Sequence, residues 1–301
     1  DETKFLAARV AWKEARYAWK RTEVFAFGPY AEFPERLGPK IDFWPARVEN
    51  IEDILLSLDD VSASSLENSG TSVRGLPVIE YLLWFDGEET LARYGESTRY
   101  CDYLTAATED LSNQANLFAL AWSRDGGNFL DELVAPSTVE DGMYMDVQEA
   151  MSEVVNRMGF TIENIRRDKL GRPLGDETGG DPQPDKVESP YSDHRVEDIR
   201  ANLEMIELLF TGDEQVLGLK SHPRIEERPD LIASFEAKAA DANAKLDAID
   251  ADGGTLRAAI LDHPERVRAA HDSLGELQTV IQADLINLLS LTRSFNDADG
   301  D

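Results

Sequence analysis

Apolar residues recur at spacings of three and four along most of the chain, which is the period of one face of an α-helix. The clearest stripe runs through Val267, Ala270, Leu274, Leu277, Ile281, Leu285 and Leu288. No segment shows the sustained alternation that a half-buried strand requires. The pattern therefore predicts an all-α protein with eight helices, at about 3–25, 46–58, 74–93, 98–123, 138–168, 192–210, 229–250 and 263–290.

Glycine and proline divide these helices into two groups of four. Gly126 and Gly127 follow the first group, and residues 170–190 are rich in glycine and proline, which predicts an irregular connector. Four helices on each side indicate two packed, four-helix-bundle-like domains, at 1–126 and 137–290, followed by an acidic tail at 291–301. Residues 78–84 resemble residues 205–210, and this weak similarity suggests an old duplication.

The charge balance limits the possible partners. There are 59 acidic and 30 basic residues, so the formal net charge is −29. Such a surface repels nucleic acid and anionic lipid, whereas it attracts cations. No stretch approaches the length of a membrane-spanning helix, and the single cysteine forms no internal disulfide. The four histidines lack the spacing of a zinc motif.

The segment from Arg74 to Trp84 is the most informative for chemistry. Pro77 lacks an N–H and is best placed in the first turn of a helix. This position puts Glu80 about one turn in, near the positive end of the helix dipole, where an ionised carboxylate could accept a cation. The alternative is an acidic residue that only stabilises the helix end.

A second candidate cluster lies on the first helix. Arg16 and Glu23 share one face with aromatic residues, so they form either a ligand site or an internal ion pair. The aromatic residues of a loop containing Trp44 and Arg47 either cover the same bundle end or belong to the ordinary core packing. In the second half, Ser192 or Asp193 is a natural N-cap of the helix that carries Asn202, and capping alone would explain them.

Together these segments resemble the imelysin (iron-regulated protein A) family. The resemblance rests on a Trp-rich first helix, the Phe27-Gly28-Pro29 turn, the Phe43-Trp44-Pro45 segment, a Ser-Pro-Tyr-Ser segment ending at Ser192, and a motif matching Gly-x-His-x-x-Glu at residues 75–80. Here Pro77 stands at the motif histidine. The family implies two helical bundles with a site near their junction, a link to iron uptake, peptidase classification for some members, and export to the periplasm, often with a lipid anchor. We accordingly expect a leader or anchor to have been removed ahead of Asp1.

Three hypotheses follow. The first is a non-catalytic periplasmic binding protein connected with iron uptake, in which Glu80, Glu23 and Arg16 form a polar pocket with Arg74, Arg47, Trp44, Ser192 and Asn202. Its ligand would be a small molecule or a metal ion, with iron or another divalent cation held by Glu80 and Glu23, and its partners other periplasmic or outer-membrane uptake proteins. The second is a metallopeptidase of the imelysin type, although proline supplies neither a metal ligand nor a base. The third is a protein-interaction module without a small-molecule site.

Overall fold

The computed structural model describes residues 1–32, 34–57 and 59–295. It confirms the all-α prediction, because these residues form helices and connecting segments and no β-strand. The α-helices are α1 (Glu2–Thr22), α2 (Gly38–Ile41), α3 (Val48–Leu56), α4 (Ala63–Glu67), α5 (Leu76–Trp84), α6 (Thr90–Glu96), α7 (Arg99–Trp122), α8 (Phe129–Val134), α9 (Val147–Asn164), α10 (Arg172–Leu174), α11 (Arg195–Thr211), α12 (Pro223–Glu226), α13 (Pro229–Ile249), α14 (Leu256–Asp262), α15 (Pro264–Thr279) and α16 (Ile286–Leu289).

The helix predicted at 74–93 is interrupted. It ends at Trp84, and a short 3₁₀ turn precedes α6. The break lies at Gly87, whose φ of +60° no helix accommodates. The Thr90 hydroxyl accepts a hydrogen bond from the N–H of Asp86 and donates one to the carbonyl oxygen of Gly87, which stabilises the turn.

The helix predicted at 138–168 is wrong at both ends. It begins only at Val147, because the carboxylate of Asp146 accepts a hydrogen bond from the N–H of Glu149 and caps the helix there. At its other end it continues into the predicted connector, through a π-helical segment at Ile165–Gly171 and then α10. A second π-helical segment, Val280–Leu285, joins α15 to α16. π-helical turns are rare in proteins, but those that do occur are often found at functional sites.

The chain divides into two compact units. The first contains Asp1–Arg16 and Ala26–Leu130, and the second contains Tyr17–Phe25 and the described residues from Asp131 onward, so α1 contributes to both. The sequence limits of 1–126 and 137–290, the arrangement as two four-helix bundles and the suggested duplication stay predictions.

In the first unit, α1, α5 and α7 pack through large aromatic residues. The rings of Trp12 and Trp84 meet edge to face with centroids 5.2 Å apart. The indole Nε1 of Trp12 donates to the carbonyl oxygen of Leu76 at 2.9 Å, and the Tyr103 hydroxyl donates to the carbonyl oxygen of Val73 at 2.8 Å. These bonds satisfy the polar ends of the buried aromatic side chains, which leaves their apolar surface for packing.

The second unit has a continuous hydrophobic core formed mainly by α9, α11, α13 and α15. Phe210 and Phe235 stack at its centre with ring centroids 3.7 Å apart. The apolar stripe of the last helices is buried as predicted from Val267 to Leu285, whereas its last predicted member, Leu288, is only partly buried and Leu289 is buried instead. The core supports the π-helical segments, since Ile165, Leu170 and Ile281 are all fully buried.

None of the described helices combines the length and the apolar character needed to cross a membrane. The acidic tail predicted at 291–301 lies partly outside the described residues, which end at 295.

Candidate functional site

In the first unit, Glu80 lies in the part of α5 that the sequence predicted. Gly75 precedes the helix with φ +80° and ψ −169°, and a Cβ on it would lie 2.4 Å from the carbonyl oxygen of Ile41. Only glycine fits this position. Pro77 occupies the first turn, so Glu80 follows about one turn in, and its side chain is buried with 2% exposure.

Arg16 is the last residue of α1 that belongs to the first unit, and it is also buried. Its Nη1 donates to Oδ1 of Asp42 at 2.8 Å, and its guanidinium lies 5.8 Å from the centre of the Trp12 ring. A buried guanidinium requires such a partner, because an unpaired charge away from water is costly. The internal ion pair that the sequence offered as one alternative for Arg16 is therefore present, with Asp42 as its partner.

Arg74 forms a second buried ion pair in the same unit. Its Nε donates to Oδ2 of Asp110 at 2.8 Å, its Nη2 donates to the other carboxylate oxygen, and its Nη1 donates to the carbonyl oxygen of Glu67. Burial raises the pKa of Asp110, and the neighbouring Arg74 guanidinium opposes that rise. These contacts fix the segment before α5 against α4 and α7.

The aromatic loop of the first unit is less enclosed. Trp44 is half-buried, and Arg47 is exposed at the N-terminus of α3. The roles predicted for these two residues at a ligand site stay predictions.

In the second unit, Glu23 belongs to a closed arrangement of alternating charges, which we call the lysine–glutamate ring. It consists of Lys20, Glu23, Lys169 and Glu188. Lys20 Nζ lies 2.5 Å from Glu23 Oε1 and 2.6 Å from Glu188 Oε1. Lys169 Nζ lies 3.1 Å from Glu23 Oε2 and 3.0 Å from Glu188 Oε2. Each ammonium thus binds both carboxylates, and the two positive charges balance the two negative ones.

Asn202 on α11 completes this cluster. Its Oδ1 accepts from Lys169 Nζ at 2.8 Å, and its Nδ2 donates to Glu23 Oε2 at 2.8 Å and to the carbonyl oxygen of Lys20 at 2.7 Å. The predicted site residues Glu23 and Asn202 therefore meet in the second unit. The amide can serve both as acceptor and as donor, which suits a position between an ammonium and a carboxylate.

Three further polar residues lie just before α11. Ser189 Oγ donates to Asp198 Oδ2 at 2.8 Å, and His194 Nδ1 lies 3.0 Å from Asp198 Oδ1. Both groups bind the same carboxylate, so the aspartate stands between the serine and the histidine, unlike the order in a nucleophilic triad. Ser192 accepts from the N–H of His194 at 3.4 Å. Because α11 begins at Arg195 and His194 occupies the N-cap position, the N-cap role predicted for Ser192 or Asp193 is wrong.

Neither of the two predicted metal ligands, Glu80 in the first unit and Glu23 in the second, forms a metal site by itself. Glu80 lies in a unit whose sequence has no histidine. Both oxygens of Glu23 are bound by lysines, so a cation would have to displace an ammonium to reach them. The metal-ligand roles of Glu80 and Glu23 stay predictions.

Sequence reasoning missed three members of the lysine–glutamate ring. Lys20 was recognisable in principle, because it lies three residues before Glu23 on the same helical face. Lys169 and Glu188 fell at the edge of the predicted connector, where no periodic pattern places a side chain. The π-helical segment that carries Lys169 has no simple sequence signal.

Comparisons with known proteins agree with one another. A family model described as Peptidase_M75, Imelysin, matches residues 1–281. The iron-regulated protein A of Synechococcus elongatus is 29% identical over 198 residues, which are 65% of this chain but only 49% of that protein, so the match spans about half of the relative. Two solved structures have the same fold. An imelysin-like protein from Psychrobacter arcticum 273-4 has a TM-score of 0.75 at 17% identity, over 97% of this chain and 83% of the other. A protein described as an iron-regulated protein A precursor, from Parabacteroides distasonis ATCC 8503, has a TM-score of 0.74 at 20% identity, over 96% and 83%.

Proposed function

Because the chain belongs to the imelysin family, we propose that it is a non-catalytic binding protein connected with iron uptake, which works in the periplasm or anchored on its periplasmic side. The connection with iron is taken from the name of the relative from Synechococcus elongatus. The ligand would be a small molecule or a metal ion.

The observation that carries the non-catalytic part is the lysine–glutamate ring. Hydrolysis by a metal-bound water requires an open coordination position and a free general base. An ammonium lies within 3.1 Å of each oxygen of Glu23 and competes with any water for the carboxylate. In the other unit, Pro77 supplies no ligand where the family motif has histidine. Neither Glu23 nor Pro77 thus supplies the group that a peptidase of this type would need at its position, whereas rigidly held polar side chains suit recognition of a ligand.

Thermal unfolding in the presence of candidate ligands tests this proposal. Wild type, Glu80→Gln and Glu23→Gln are each titrated with iron, zinc, calcium and haem, and the shift in Tm is compared within each variant. Glu14→Gln is the matched control, because Glu14 is an exposed glutamate on α1. We expect at least one ligand to raise the Tm of wild type and of the control, and to have no effect on Glu80→Gln.

Casein is incubated with the same samples, with and without a chelator. We expect it to remain intact. Chelator-sensitive cleavage would instead establish the metallopeptidase alternative. If none of the ligands shifted the Tm of wild type, small-ligand binding would be refuted, and a protein-interaction role would be the reading to pursue.

A further inference from the structure

The short segment that leads into α9 exposes three apolar side chains around a buried tyrosine. Met143, Met145 and Val147 are 44%, 82% and 56% exposed, whereas Tyr144 between the two methionines is only 6% exposed. Both methionines therefore face solvent, while Tyr144 is directed toward the interior. We call Met143, Met145 and Val147 the methionine surface.

The segment is held in place by acidic side chains. A carboxylate oxygen of Glu132 on α8 accepts a hydrogen bond from the N–H of Met143, and Glu149 Oε2 accepts one from the N–H of Met145 at 2.8 Å. Asp146 caps α9 through the N–H of Glu149 at 2.9 Å. These bonds fix the backbone on both sides of Tyr144, so the methionine surface is preformed.

The charged side chains that the segment itself carries are all acidic. Residues 131–156 contain seven acidic residues and no lysine, arginine or histidine. Four of the acidic side chains are exposed, at Glu140, Asp141, Asp146 and Glu149. The next basic residue is Arg157, whose Nε already binds Glu153 Oε1 at 2.6 Å. An apolar patch with four exposed acidic side chains at its rim is complementary to a segment that carries apolar and basic side chains together.

We propose that the methionine surface is a docking site for a partner protein, which binds through a segment with apolar side chains flanked by lysine or arginine. Methionine suits such a contact, since its unbranched, polarizable side chain adapts to different apolar shapes. A second copy of this chain would bring the same acidic rim and a net charge of −29, so self-association is opposed. The proposal is independent of the proposed small-ligand function.

Nuclear magnetic resonance of methyl-labelled methionine in the full chain tests the proposal. The chain has five methionines, of which Met158 is fully buried and Met151 and Met205 are partly buried against the core, so three signals serve as internal controls. The probe is a synthetic amphipathic peptide of leucine and lysine, compared with its leucine–glutamate counterpart. We expect the basic peptide to shift the signals of Met143 and Met145 and not those of the three controls, and the acidic peptide to shift none.

Substitutions then distinguish binding at the methionine surface from general electrostatic attraction to the acidic protein. The double variant Met143→Gln/Met145→Gln should weaken peptide binding by about tenfold. The double variant Glu140→Gln/Asp141→Asn should have a similar effect. Asparagine is chosen at position 141 because it tolerates the φ of +55° there. Leu217→Gln is the matched control, because Leu217 is 87% exposed after Asp213 and Glu214, and it should leave binding unchanged. The proposal is overturned if the basic peptide fails to bind at about 1 mM, if both peptides bind alike, or if Leu217→Gln weakens binding as much as the methionine variant.

Discussion

Replacing Lys169 with methionine removes one of the two ammonium groups that hold Glu23 and Glu188. The three side chains are 13%, 19% and 11% exposed, so little water is available to take over the lost contacts. Glu23 and Glu188 would then share Lys20 alone, and the four positions of the ring would carry a net charge of −1. Asn202 would also lose the donor to its Oδ1.

The structure sets the size of this effect. Removing one partner of a fully buried ion pair costs about 3–5 kcal/mol of stability. Because this ring retains some exposure, and Lys20 still reaches both carboxylates, we expect Lys169→Met to cost less than a fully buried pair, about 2–3 kcal/mol. Glu23→Gln should cost a similar amount, since it leaves the ring with a net charge of +1.

The double variant Lys169→Met/Glu23→Gln distinguishes a charge effect from a packing effect. It leaves Lys20 and Glu188 as one neutral pair, 2.6 Å apart. We therefore expect its cost to be close to that of either single variant, with a coupling energy of about 2 kcal/mol. Urea unfolding followed by circular dichroism measures all three variants, since urea does not screen charges as guanidinium chloride does.

Lys238→Met provides the matched control. Lys238 binds Glu276 with side chains that are 40% and 59% exposed, and an exposed pair of this kind contributes about 0–1 kcal/mol. If Lys169→Met cost no more than Lys238→Met, or if the two ring substitutions were additive, the ring would not be an electrostatic unit and the reasoning would fail.

Three further predictions follow from single contacts. Gly75→Ala should lower the Tm and cost at least about 2 kcal/mol in chemical unfolding, because the added Cβ meets a backbone carbonyl and the φ of +80° is unfavourable for alanine. Arg74→Met should cost about 3–5 kcal/mol by the same measurement, since it strands the buried carboxylate of Asp110, and recovery in the double variant with Asp110→Asn would identify the charge as the cause. Burial and a hydrogen bond to a carboxylate raise the pKa of Tyr17 to about 12, so the unfolded chain loses this proton first and the contribution to stability falls between about pH 10 and 12. Comparing alkaline unfolding of wild type and Tyr17→Phe checks this, and an unchanged pH dependence would contradict it.

The helical architecture was predictable because burial of one helix face imposes a period that is visible in the sequence. The stripe beginning at Val267 is buried as expected, although a π-helical segment interrupts it at Val280–Leu285. The wider π-helical turn changes the spacing of the apolar residues too little to be recognised in the sequence. The ends of helices were harder to predict from the sequence, because they depend on single side-chain contacts. Asp146 caps α9 and places its start at Val147, whereas the sequence pattern predicts a start near residue 138.

The candidate site was predictable only where one helix carried the pattern. Glu23 was found from its spacing on the first helix, and Asn202 from its place in a recognisable helical segment. Glu188 was not found, because it lies in a segment without regular structure and meets Lys20 across 168 residues of chain. Contacts of this range depend on the packing of the second unit, and no local pattern reports them.

Lys169 links the lysine–glutamate ring to the π-helical segment, because it belongs to both. A regular helix advances about 100° per residue, so one wider turn changes the direction of every side chain that follows it. Ile165 and Leu170 remain fully buried at the two ends of the segment, while Lys169 between them reaches Glu23, Glu188 and Asn202. The cost of a less favourable backbone is offset by an ammonium placed among three polar partners. Substitutions that favour a regular α-helix here should therefore disturb the ring even when they leave Lys169 itself unchanged.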